Sequence, residues 1–385
     1  MVSRTDRTQM AEWWRTIDKT LLGAILFLML FGLLLSFAAS PPVAERIGVS
    51  NLHFVKRHAI FLIPAVIVLI ASSMLSPRSV RRAAFVIFLV GIILMLVTMF
   101  VGTDVKGSRR WIQLGGFTLQ PSEFVKPAFV IISAWLFAEN SRRADIPGNL
   151  FSIILFAIVA ALLIAQPDFG QTMLLAIVWG ALFFMAGMSW VWIAAFGGIG
   201  ILGMGTAYTL FPHVAGRINR FVSGEGDHFQ VDTGREAIVS GGWLGKGPGE
   251  GTVKNIIPDG HADFPFAVAA EEYGILVCMG IVAVFAFIVL RGLAHAMRER
   301  DDYVRLASSG LLILFGIQSM INISVNLQLI PAKGMTLPFI SYGGSSLISM
   351  ALCMGFMLAL TRKRPETLGS ELMMQFTPHK LKVAE

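Results

Sequence analysis

Apolar residues in this chain come in separated runs of about 20, the length that crosses a bilayer core of about 30 Å at 1.5 Å per helical residue. Ten such runs lie near residues 20–40, 58–76, 83–102, 124–138, 149–165, 170–188, 190–211, 267–291, 304–327 and 343–361. Inside lipid the backbone must satisfy its own polar groups, so runs of this length read as helices. Of 385 residues, 55% are hydrophobic and 14% charged, against about 25% charged in a soluble domain. A water-soluble globule is thereby excluded, and the expected fold is an all-α polytopic membrane protein with ten transmembrane helices. The first run has features of a secretory signal, with Ser36-Phe37-Ala38-Ala39-Ser40 as a cleavage site. It is longer than a signal core of about 7 to 15 residues, however, and Pro41-Pro42 stands where the bond would be cut.

Basic residues between the runs set the orientation. Both tails and the turns around Arg78, Arg142 and Arg291 hold 18 Lys and Arg, the opposite side holds 12, and Lys126 falls within a span. Both termini are therefore expected in the cytoplasm: an N-terminal tail over 1–19, a transmembrane domain over 20–362 and a C-terminal tail over 363–385. A large extracytoplasmic loop, 212–266, joins the seventh and eighth spans and carries five of the twelve opposite-side cations, among them Arg217. Loops of that length are commonly functional. The net charge of +7 is thus an orientation signal combined with a candidate site, not a nucleic-acid footprint. Cys278 and Cys353 lie in apolar runs and read as packed thiols.

A charge within a span is a functional-site hypothesis by default. Glu123 and Lys126 share one helical face and can pair, either as a structural lock or as a substrate contact. Asp168, between the fifth and sixth spans, suits a helix N-cap. Gln318, Asn322 and Asn326 make a polar stripe at i, i+4, i+8 that should face the bundle interior. The Gly/Pro/Ser-rich stretch over 331–346 includes Lys333, able to meet an anion, and Ser341. The segment with most chemistry ends the long loop. His261 and Asp263 stand at the mouth of the eighth span, among apolar residues that would raise the carboxyl pKa toward that of a working base. Asp263 could equally cap that helix, and Glu271 lies two turns deeper on roughly the same face. No Walker loop, dinucleotide fingerprint, zinc spacing or nucleophile elbow is present. Gly245-Lys246-Gly247-Pro248-Gly249 reads as a flexible part of the loop. No cofactor is assigned, and His261-x-Asp263 leaves a divalent cation open.

Several motifs in order resemble the SEDS family of polytopic membrane proteins, its cell-division branch more than its elongation branch. They are Arg110-Trp111-Ile112-Gln113-Leu114-Gly115, 120–126, Gln166-Pro167-Asp168-Phe169-Gly170, Gly241-Gly242-Trp243-Leu244-Gly245, 261–263 with Glu271-Glu272-Tyr273-Gly274, and 331–346. The resemblance spans about residues 18–362. It implies a peptidoglycan glycosyltransferase that polymerises lipid II at the outer face of the cytoplasmic membrane. Its implied partners are a class b penicillin-binding protein transpeptidase and other divisome membrane proteins. The family's essential aspartate falls on Asp263, and its Glu and Lys of the fourth helix on Glu123 and Lys126. Ala262 stands where the family usually has Thr, and Phe229 where Tyr is common.

The chemistry agrees with that implication. An acceptor hydroxyl must lose its proton as it attacks an anomeric carbon, while pyrophosphate leaves with charge stabilisation rather than protonation. One carboxylate and a basic cluster therefore suffice, unlike the paired carboxylates of most glycoside hydrolases. Asp263 is expected as base, with Lys126, Lys333, Arg217, Arg110 and His261 contacting substrate and Glu123 orienting Lys126. A lipid II flippase, or a scaffold that recruits the transpeptidase, would use the same residues differently.

Overall fold

The computed structural model describes residues 8–105, 108–115, 117–143, 145–210, 215, 216, 219, 229–331 and 334–363. The helices are α1 Gln9–Thr16, α2 Lys19–Arg46, α3 His53–Ser73, α4 Pro77–Val101, α5 Pro121–Arg142, α6 Gly148–Ala165, α7 Phe169–Met185, α8 Trp190–Leu210, α9 Phe229–Gly241, α10 Pro265–Ala296, α11 Asp302–Asn326 and α12 Gly344–Leu360. Among the described residues, eight of them (α2–α6, α8, α10 and α11) are long and apolar enough to cross a membrane, and α7 and α12 are apolar but shorter. The chain is a polytopic helical membrane protein.

Polar residues flanking the apolar runs start the helices. Asp18 accepts from the backbone N–H of Thr20 and Leu21 at 3.0 and 3.1 Å. Ser76 caps α4 through Ser79 N–H at 3.1 Å, with Pro77 at a first-turn position where its missing donor costs nothing. Asp301 caps α11 through Val304 N–H at 3.2 Å. Burial then sorts the bundle. The apolar windows of α5 and α11 are 83% and 72% buried, that of α4 only 22%. So α5 and α11 form the centre, contacting each other, α7 and α12, while the outer helices turn large apolar side chains outward. The central pair is also where the polar residues concentrate.

Four features depart from the expected outline, and the first of them from its all-α character. A three-stranded antiparallel sheet links α4 to α5: β1 Thr103–Val105, β2 Ser108–Leu114 and β3 Phe117–Leu119, ordered β1-β2-β3. Its strands are too short to give a pattern of period two that stands out beside 20-residue runs. Part of the presumed N-terminal tail is helical: α1 is held by Trp13, whose indole N–H donates to Ser73 Oγ at 2.9 Å. The first span runs on through Pro41 and Pro42 to Arg46. The long loop carries α9, packed on α10, and a 3-10 turn at Val253–Asn255. Among the described residues, its cations Arg235, Lys246 and Lys254 therefore sit on built structure.

Close helix approach depends on small residues. A Cβ on Gly355 of α12 would meet Ser72 Oγ at 1.9 Å and the Leu69 carbonyl at 2.7 Å, both on α3, whereas one on Gly180 of α7 would meet nothing within 4 Å. Gly355→Val should therefore lower the detergent-solubilised unfolding midpoint by the equivalent of about 1–3 kcal/mol through overpacking. Gly180→Ala should leave it unchanged or raise it by about 0.5–1 kcal/mol. Equal midpoints for the two variants in a thermal-shift assay would contradict this packing.

Candidate functional site

Asp263 sits one residue outside the cap of α10. The cap position is Phe264, which makes no side-chain capping bond, so the capping role weighed for Asp263 is not what the structure shows. Its backbone is fixed from three directions. Its N–H donates to the Asp259 carbonyl at 2.9 Å, and its own carbonyl accepts from Asn322 Nδ2 at 3.1 Å and Asn326 Nδ2 at 3.2 Å. Asn326 Oδ1 also receives the Ala267 N–H at 3.1 Å, in the first turn of α10. The stripe on α11 thus faces inward and holds the loop end by its main chain. Gly334 lies against the carboxyl: a Cβ there would stand 3.6 Å from Asp263 Oδ2.

His261 is fixed beside it. Its carbonyl accepts the Tyr342 N–H at 2.9 Å, and its ring packs on Phe54 of α3 at 4.4 Å and on Tyr342 at 5.3 Å between centroids. Burial pushes the imidazole pKa down to about 4, which favours the uncharged ring near neutral pH. Ser341 has a structural partner, its Oγ accepting the Leu337 N–H at 2.7 Å.

Lys126 and Glu123 occur together on α5, 2% and 3% exposed. The ammonium donates to Glu123 Oε1 at 3.0 Å, Gln171 Oε1 at 2.9 Å and Gln318 Oε1 at 3.0 Å, which uses its three N–H groups. Gln171 returns a bond to Glu123 Oε1 at 2.9 Å, and Ser349 donates to the Glu123 carbonyl at 2.6 Å. Four helices, α5, α7, α11 and α12, meet in this network. It also reaches Asp263, since Gln318 Nε2 donates to the Thr336 carbonyl at 3.2 Å and Asn322 Nδ2 to the neighbouring Met335 carbonyl at 2.6 Å. Gln171 was missed in the sequence, although a lone amide in an apolar run was a signal.

Glu271 and Glu272 hold the 242–256 segment. The fully buried Glu271 accepts from the backbone N–H of Thr252, Val253 and Lys254 at 2.7, 2.8 and 2.7 Å and pairs with Lys246 at 3.4 Å. Glu272 accepts from Gly249 N–H at 3.0 Å and from the Lys254 ammonium. The Lys246 and Gly247 amides donate to the carbonyls of Glu271 and Glu272 at 2.9 and 3.0 Å. The Gly245–Gly249 stretch, read as flexible, is therefore clamped to α10. The contact requires Gly241, where a Cβ would stand 2.0 Å from the Ala270 carbonyl. It also kinks α10 at Gly274, whose φ is +80°.

Arg110 is likewise engaged. It donates to the Gln166 carbonyl at 3.0 Å and to the Pro167 carbonyl, and it pairs with Asp168 at 3.3 Å. Asp168 in turn caps α7 through Gln171 N–H at 3.3 Å. β2 is thereby pinned to the α6–α7 turn. Arg217 and Lys333 lie outside the described residues. Among the described residues, no three His, Cys, Asp or Glu side chains come together as a metal set.

Removing one member of the Lys126 network leaves a buried charge without its counterpart. Lys126→Met should cost about 3–5 kcal/mol, and pairing it with Glu123→Gln should recover most of that loss. A double variant no more stable than Lys126→Met, by thermal unfolding in detergent, would overturn the coupling.

Residues 19–366 match the FtsW/RodA/SpoVE family, described as "Cell cycle protein". The chain is 48% identical over 370 residues, 96% of its length and 95% of the relative's, to a Caulobacter vibrioides protein named "Probable peptidoglycan glycosyltransferase FtsW". It is 35% identical to a protein of the same name from Alkalilimnicola ehrlichii, over 90% of this chain and 89% of that one. Among solved structures it resembles a chain from a peptidoglycan synthase complex, described as coordinating polymerization and crosslinking, with TM-score 0.75 and 23% identity. Thermus thermophilus RodA follows at TM-score 0.67 and 22% identity, and in both cases 90% of this chain and 97% of the other are covered. With most of its length matched, from the start of α2 to beyond α12, the chain belongs to the FtsW/RodA/SpoVE family of cell cycle proteins.

Proposed function

We propose that the protein is a peptidoglycan glycosyltransferase. It polymerises lipid II into β-1,4-linked glycan at the division septum, releasing undecaprenyl pyrophosphate, with Asp263 as the general base. The observation that carries this reading is near full-length identity of 48% to a relative named for that activity. The way the fold holds Asp263 supports it: Asn322 and Asn326 fix its main-chain carbonyl at the mouth of α10. In the proposed step the Asp263 carboxylate takes the proton of the acceptor sugar hydroxyl as that oxygen bonds to the anomeric carbon. The bond to the pyrophosphate oxygen breaks on the opposite face, and the configuration inverts. Lys333 and Arg217 neutralise the departing pyrophosphate, whose charge is the main cost of the step. Lys126 takes a positioning role, because its three donors are already used, and Glu123 orients it. Arg110 positions the α6–α7 turn, and His261, uncharged, shapes the mouth with Phe54 and Tyr342.

In this reading all ten apolar helices span, both termini are cytoplasmic, and Asp263 faces outward beside the loop. The lipid tail lies between helices. A class b penicillin-binding protein receives the glycan for crosslinking. The flippase reading would need Glu123 and Lys126 to line a cavity, and their burial in a closed network weighs against it.

Fluorescent lipid II supplied to the purified protein with its transpeptidase tests the assignment. Asp263→Asn should cut polymer formation by about 10²-fold or more, the usual contribution of a general base. The variant keeps the main-chain contacts at residue 263, and its unfolding midpoint, measured alongside, serves as the folding control. Polymer formed at the wild-type rate would exclude the base. Transbilayer movement of lipid II in liposomes that survives Asp263→Asn and fails with Glu123→Ala would favour the flippase.

A further inference from the structure

At the far end of α10 from Asp263, three distant parts of the chain converge. A cavity of about 330 Å³ is lined by Arg15 and Lys19 near the start, Arg291 and His295 on α10, and Lys363 after α12, with Asp18 among them. That volume falls within the roughly 300–1,000 Å³ of small-ligand pockets. Asp18 is already committed. Its Oδ1 accepts from the Thr20 and Leu21 amides and the Thr20 hydroxyl, and its Oδ2 from Arg291 Nε at 2.9 Å and beside His295 Nδ1 at 3.4 Å. Among the described residues that line it, one carboxylate therefore meets four cations, a net positive set.

The flank of the cavity is apolar. Lys19 Nζ lies 5.2 Å from the Trp14 ring centre, and Arg291 lies 5.9 Å from that of Phe287. Trp14 and Phe287 are 41% and 40% exposed. Tryptophan beside basic side chains is the composition of a membrane–water interface, and basic pockets between helices at that level suit lipid phosphates. A soluble anion would use the cations alone, whereas a phospholipid uses the cations for its headgroup and the exposed apolar flank for its chains.

We propose that this cavity binds the phosphate headgroup of an anionic phospholipid and so ties α1, the end of α10 and the segment after α12 together. The proposal is independent of the glycosyltransferase reading. Its test is native mass spectrometry of the full-length chain in detergent, titrated with phosphatidylglycerol or phosphatidylcholine. Wild type should retain phosphatidylglycerol preferentially. A triple variant, Arg15→Gln, Lys19→Gln and Lys363→Gln, should lose that preference by about fivefold for each charge removed. Arg82→Gln, at an exposed position outside the cavity, should keep it. Should the triple variant not fold, Lys363→Gln alone, at an exposed site, should show the single fivefold loss. Equal retention by the variants, or no preference in wild type, overturns the proposal. Displacement of the lipid by millimolar inorganic phosphate overturns the lipid assignment in favour of a soluble anion.

Discussion

A lysine ammonium at 2% exposure in the middle of a helix bundle carries a desolvation cost of several kcal/mol unless every donor finds an acceptor. Lys126 meets that demand with one carboxylate and two amides drawn from α5, α7 and α11, and Ser349 joins α12 through the Glu123 carbonyl. Because each partner comes from a different helix, the requirement is geometric. The helices can satisfy the charge only in one relative arrangement. Apolar side chains, whose attraction is non-directional, could tolerate several.

From this network the polar side chains of α11 lead to the candidate site. Gln318 holds Lys126 and Thr336, while Asn322 and Asn326 hold the chain around Met335 and Asp263. One helix face therefore sets both the centre of the bundle and the position of the aspartate at its mouth. Glu271 adds a second fixture, since a buried carboxylate taking three backbone N–H groups ties the loop before Asp263 to the first turns of α10. Loop residues are usually the mobile part of a protein. Here buried charge ties this part of the loop to α10.

The sequence was sufficient for what depends on periodicity and local spacing. The ten apolar runs, the pairing of Glu123 with Lys126 three residues on, the inward stripe of Gln318, Asn322 and Asn326, and the capping geometry of Asp168 are all properties of one helix or one turn. A helix has fixed rise and rotation per residue, so these could be stated before any contact was known. The short sheet and α1 were not legible, because three to eight residues give too little pattern against the long apolar signal.

What belonged to tertiary structure alone is which partners each charge has. Lys126 and Arg110 read as cations available to a phosphate, and the fold spends the first on amides from two other helices and the second on the α6–α7 turn. Asp263 read as equally suited to capping, and the fold gives that position to Phe264. The glycine-rich 245–249 stretch read as flexible, and Glu271 and Glu272 hold it. These outcomes rest on side chains up to about 190 residues apart, as in the Lys126–Gln318 bond. Sequence by itself determined where the membrane helices lie and which polar residues they carry. Only packing in three dimensions decided which of those residues are consumed in holding the helices together, because a buried polar group must find its partner wherever the chain brings one.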